Sequence, residues 1–144
     1  RMMAKSCPGN RFVTFFLCVL DPATGEMKYC NAGHNPPLLA RAGGQVEELR
    51  GGGTVLGMFP ELGYEERHCR LESGDLLVLF SDGVTEATNP SDEEFGEERL
   101  STLLADARGA SASSVLETID RAVADWTAGA PPTDDVTVVT IRLP

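Results

Sequence analysis

Short apolar runs separated by turn residues fill the first eighty positions. Arg11 to Leu20 reads RFVTFFLCVL, rich in β-branched and aromatic residues, which predicts a strand. Asp21-Pro22-Ala23-Thr24-Gly25 supplies a turn, and Glu26 to Asn31 returns as a second strand. Pro37 to Arg41 and Gln45 to Leu49 predict a short hairpin around Gly43-Gly44. Glu65 to Leu71 and Leu76 to Phe80 flank Glu72-Ser73-Gly74-Asp75, which predicts a further hairpin. Connections this short hold no crossover helices, so the pairing should be mostly antiparallel.

The period of the pattern then changes. Leu100, Leu103, Leu104 and Ala107 follow i, i+3, i+4, i+7, one face of a helix. Val115, Leu116, Ile119, Ala122, Val123 and Trp126 form a second, clearer stripe. Ser111 or Ser114 can cap this helix, and Ser114 with Glu117 fits a capping box. Gly129-Ala130-Pro131-Pro132 stops it, and Val136 to Leu143 is the last strand. Strands, then two helices, then one strand predict an α+β fold with helices on a face of an antiparallel sheet.

Length and composition narrow the classes. The 144 residues fit one compact domain, residues 1–144. The first residue is Arg1, which points to a piece of a longer protein. The net charge is -10, and Lys and Arg are scattered, so the basic stripe of a nucleic-acid binder is missing. Acidity serves solubility, with a share available for metal ions. Cys7, Cys18, Cys30 and Cys69 show no zinc spacing and read as reduced structural cysteines of a cytoplasmic protein. No apolar run approaches the roughly 18 residues of a membrane span, and no signal peptide is recognisable.

Two acidic signatures stand beside apolar runs. Ser81-Asp82-Gly83 follows LLVLF, and Thr133-Asp134-Asp135 precedes VTVVTI. Strands that carry carboxylates at their ends can bring distant acids together, and converging carboxylates without a basic cluster suit a hard divalent cation. Gly83 permits a tight turn and a close approach of its carbonyl to a ligand. Each signature also has a plain structural reading, Asp82 as an Asx-turn acid and Asp134-Asp135 as a polar loop. Successive strand residues face opposite ways, so one of Asp134 and Asp135 is the better ligand. The stretch Asn31-Ala32-Gly33-His34-Asn35-Pro36-Pro37 offers His34 as a proton shuttle, substrate contact or ligand, or as a turn residue that holds the loop. No Ser or Cys is marked as a nucleophile. Gly51-Gly52-Gly53-Thr54 lacks the Lys of a phosphate loop and reads as a flexible connection. Glu93, Glu94, Glu97 and Glu98 read as the exposed side and acidic first turn of a helix.

The segments FVTFFLCVLD, YCNAGHNPPLLAR, GDLLVLFSDGVTEATN, FGEERL and TDDVTVVTIRL, in this order and spacing, resemble the bacterial PPM-type serine phosphatases of the SpoIIE/RsbU branch. The resemblance runs from about Arg11 to Leu143. It implies an αββα sandwich of antiparallel sheets flanked by helices. It implies a metal-dependent serine/threonine phosphatase with two Mn²⁺ or Mg²⁺ ions and a metal-activated water in place of a side-chain nucleophile. It implies Asp82 and Asp134 as metal ligands, with Asp135 in the position just after, and the AGHN stretch belongs to the family pattern without a fixed catalytic role. From the residues themselves, Asp135 and Gly83 stay further ligand candidates, and His34 and Asn31 stay candidates for substrate contact or loop support. The implied substrate is a phosphorylated regulatory protein, typically a STAS-type anti-anti-sigma factor. The alternative is a non-catalytic phosphatase-like module that binds such a protein. The upstream Asp of the family, which bridges the two ions, has no counterpart in RMMAKSCPGN. The chain is therefore expected to be the C-terminal portion of the domain, weak in metal binding and activity on its own and inclined to self-associate.

Overall fold

A computed structural model of the chain describes residues 11–59, 61–130 and 134–144. The elements run β1 (Phe15–Leu20), β2 (Glu26–Ala32), β3 (Leu38–Ala40), β4 (Val46–Glu48), β5 (Gly52–Gly53), β6 (Arg67–Arg70), β7 (Leu76–Phe80), α1 (Asp82–Thr85), α2 (Gly96–Asp106), α3 (Ala112–Trp126) and β8 (Val138–Arg142). They fall into two compact units, Arg1–Pro36 with Leu49–Leu71, and Pro37–Glu48 with Glu72–Pro144.

In the first unit β1 and β2 form the expected antiparallel hairpin, in register from Phe15 opposite Ala32 to Leu20 opposite Met27. Its turn is an Asx turn: Asp21 Oδ1 accepts from Ala23 N at 2.9 Å, and Gly25 N donates to Asp21 O at 2.8 Å. β6 pairs antiparallel with the first half of β2. β5 pairs parallel with its end, Gly52 opposite Asn31. Gly51 to Gly53 is thus no flexible connection. A Cβ on Gly52, at φ +128°, would lie 2.5 Å from Asn31 N, so the missing side chain is what admits this ladder. Side chains on β2 alternate, with Met27 and Tyr29 buried and Glu26 and Lys28 exposed.

The second unit holds an antiparallel sheet in the order β4-β3-β7-β8. One face presents Leu38, Ala40, Leu76, Val78 and Phe80 to the apolar stripes of α2 and α3, chiefly Leu100, Leu104, Val115 and Ile119. Each Leu, Ile, Val or Phe among them contributes about 1.5–3 kcal/mol on full burial. Leu39 and Leu77, of opposite parity, are buried too, which accounts for the unbroken apolar run of β7. Ser111 caps α3 by accepting from Ser114 N at 3.1 Å, so the Ser114–Glu117 capping box does not form. The stop at Gly129 is in place, its N donating to Ala124 O at 3.0 Å. Cys7, Pro131, Pro132 and Thr133 lie outside the described residues.

The hairpin expected across Glu72–Asp75 is a correction. The turn forms, with Asp75 N donating to Glu72 O at 3.0 Å, but β6 belongs to the sheet of β2 whereas β7 pairs with β3 and β8. The reason is burial. β7 is apolar on both faces and lies inside the buried sheet between β3 and β8, whereas four-residue β6 is mostly exposed and stays with β2. Turn chemistry specifies a reversal of the chain, not the strand that will lie beside it.

Candidate metal centre

Both acidic signatures lie in the second unit. β7 delivers Ser81 at its end, and α1 opens at Asp82 where the sequence suggested only a tight turn. Ser81 sits in extended backbone as the N-cap residue and works in three directions. Its N donates to Thr137 O at 3.0 Å, its Oγ donates to Asp135 O at 2.8 Å, and Thr137 N donates to its Oγ at 2.9 Å. These bonds tie the approach to β8 against the end of β7. Gly83 completes the contact: a Cβ there would lie 2.5 Å from Asp135 O and 3.4 Å from Asp134 O. Segments fifty residues apart in sequence thus abut at Asp82-Gly83 and Asp134-Asp135.

The side chains are exposed at Asp82, Asp134 and Asp135. Asp82 Oδ1 accepts from Gly83 N at 3.1 Å, and Asp134 Oδ1 accepts from Asp135 N at 2.7 Å. In Asp82 and Asp134 one carboxylate oxygen is oriented by the backbone N–H of the next residue. Asp135 contributes its carbonyl to the seam through Ser81. Gly83 is buried and serves the seam by close approach. Ser81 is the residue that sequence reasoning passed over, although it stands inside the SDG signature.

His34 and Asn31 belong to the first unit. Asn31 is buried, and its side chain clamps the loop in two directions. His34 N donates to Asn31 Oδ1 at 2.8 Å, and Asn31 Nδ2 donates to His34 O at 2.9 Å. The His34 ring meets Asn35 O at 3.0 Å through Nδ1. Glu97 and Glu98 occupy the first turn of α2, while Glu93 holds Asn89 through its carboxylate and Trp126 Nε1 through its carbonyl.

The donor chemistry of the seam suits a hard cation, because carboxylate oxygens are what Mg²⁺ and Mn²⁺ prefer. The number of donors falls short. Among the described residues no group of three or more His, Cys, Asp or Glu side chains could hold a metal ion. Asp82 and Asp134 fit such a centre as part of a ligand set. Also among the described residues, no helix is long and apolar enough to cross a membrane.

The two sheets and the helices on the second match part of a PPM phosphatase fold. The family model for stage II sporulation protein E (SpoIIE) matches residues 1–144, and the chain belongs to this family. Protein IcfG of Synechocystis is 30% identical over 130 residues, 90% of this chain and 20% of that protein. Phosphoserine phosphatase RsbU of Bacillus subtilis is 32% identical over 87 residues, 60% of this chain and 26% of that protein. The chain therefore spans only a fifth to a quarter of these relatives. The phosphatase domain of the B. subtilis cell-fate determinant SpoIIE, a PP2C phosphatase domain solved after presoaking with Mn, shares the fold. It superposes with a TM-score of 0.71 at 24% identity, covering 91% of this chain and 56% of that one.

Proposed function

We propose that the chain is part of a metal-dependent phosphatase that hydrolyses phosphoserine or phosphothreonine on a cytoplasmic regulatory protein, a STAS-type anti-anti-sigma factor by family resemblance. The observation that carries this reading is the seam in a SpoIIE-family chain, where Ser81 and Gly83 bring the segments of Asp82 and Asp134 together. Two Mn²⁺ or Mg²⁺ ions, when bound, supply an activated water and stabilise the charge of the phosphoryl oxygens. Asp82 and Asp134 are the residues of this chain that would hold them, with the Gly83 carbonyl and Asp135 as secondary candidates. Ser81 acts through them as a positioning residue. His34 and Asn31 shape the loop after β2, for which the two clamp hydrogen bonds speak.

The test is manganese-dependent hydrolysis of an aryl phosphate by the full-length protein that carries this chain. Asp82→Asn and Asp134→Asn should each lower turnover by at least about a hundredfold, the scale of losing one well-placed electrostatic partner. Wild-type rates in either variant would sink the assignment. The binding-module alternative makes a different forecast, no metal-dependent turnover in the parent protein. Residues 1–144 alone should hydrolyse the ester slowly or not at all. Each ion takes about six oxygen ligands, and two carboxylates leave most positions to water.

A further inference from the structure

A groove opens directly beside the seam. Its wider part, about 510 Å³, is lined by Gly83, Ala87, Thr88, Asp120, Val123 and Val136 among others. A second cavity, about 360 Å³, shares Asp120, Val123 and Val136 with it and is also lined by Leu116, Ile119 and Val138. The two share a wall and run along one face of α3, where positions 116, 119, 120 and 123 follow helical spacing. Gly83 follows Asp82 in the chain, and Val136 follows Asp135, so the groove starts within a residue of the candidate ligands. Leu116 and Val136 stay substantially exposed.

Its charge is one-sided. Asp120 lines both parts and Glu117 the second, while among the described residues no Lys, Arg or His lines either. We propose that this groove docks the segment of the substrate protein that flanks the phosphorylated residue, taking an apolar side chain against Val123 and Val136 and a Lys or Arg against Asp120. The inference rests on the phosphatase reading for what is bound. Its physical ground is continuity with the seam together with charge complementarity. An extended peptide advances about 3.3 Å per residue, so neighbours of a phosphoserine held at the seam come to this groove first. Apolar contact supplies affinity, and the carboxylates select against acidic flanks.

Fluorescence anisotropy on the full-length protein decides it without turnover. The probe is a fluorescein-labelled phosphoserine peptide with leucine and then arginine on both sides, and its counterpart has glutamate for arginine. Wild type should prefer the arginine peptide. Asp120→Arg should weaken its binding about tenfold and bind the glutamate peptide better than wild type does. Ala124→Phe, at an exposed helix position on the groove wall, should weaken both peptides. Equal Kd values in wild type and both variants would overturn the proposal. So would a wild type indifferent to the charge of the peptide, the result expected if another part of the protein fills the groove. Aryl phosphate turnover by the wild type is read separately: its absence counts against the phosphatase reading, while anisotropy still decides the groove.

Discussion

Gly83 shows how much of the candidate site depends on a single missing side chain. Its backbone is packed against the Asp135 carbonyl at a distance no Cβ tolerates. The obstacle is backbone, already bonded to Ser81, so it cannot swing aside as a side-chain tip would. Gly83→Ala gains helix propensity of up to about 1 kcal/mol in α1. Overpacking against fixed backbone costs about 1–3 kcal/mol and should win. Urea unfolding should show a lower midpoint at unchanged slope, and an unshifted midpoint would mean that the seam relaxes without cost. The candidates Asp82, Asp134 and Asp135 stand out in sequence because acids at the ends of apolar strands are conspicuous, and Gly83 because a glycine beside one of them allows close approach. Ser81 is not, because its importance comes from Asp135 and Thr137, more than fifty residues away. The Asn31 clamp on His34 is a matter of side-chain direction, which no spacing reveals.

Among the elements, helices α2 and α3 are legible because a stripe of period 3.6 has one geometric meaning. Strand identity is nearly as plain, but strand partnership is not, as the turn between β6 and β7 shows. Asp75 organises that turn from a buried position, only 2% exposed. Its carboxylate accepts from Glu72 N at 2.9 Å, Ala42 N at 2.9 Å and Arg41 Nη1 at 2.9 Å. Burial pushes this carboxyl upward, but the backbone bonds from Glu72 and Ala42 and the Arg41 guanidinium outweigh it and hold the group below its usual range. A depressed folded pKa adds stability that is present above the ordinary carboxylate value of about 3.9 and disappears as pH falls through the folded value. Asp75→Asn should therefore lower unfolding free energy at pH 7 by about 1–3 kcal/mol. The gap to wild type should shrink below about pH 4. Urea titrations from about pH 2 to about pH 7, across the ordinary carboxylate range, measure it, and a gap independent of pH would refute this account of Asp75.

For the molecule as a whole, one face of β1 is apolar and exposed. Phe15, Leu17 and Val19 are 48%, 55% and 67% exposed along a strand at the end of its sheet path. An apolar face beside an open edge favours association. Residues 1–144 in isolation should self-associate in light scattering at high concentration, and Leu17→Lys with Val19→Lys should shift the population toward monomer. A wild-type monomer at every concentration would count against this. The sequence alone determined the α+β class, the two long helices and most strands, and it singled out the acids proposed for the metal centre. These follow from local period and composition, which act over a few residues. Only the tertiary structure decided that β6 and β7 part into different sheets, that Gly52 forms a ladder, and that Ser81 and Gly83 bring Asp82 and Asp134 onto one seam. Those outcomes depend on which buried faces find partners far along the chain, and that competition leaves no periodic trace in the order of residues.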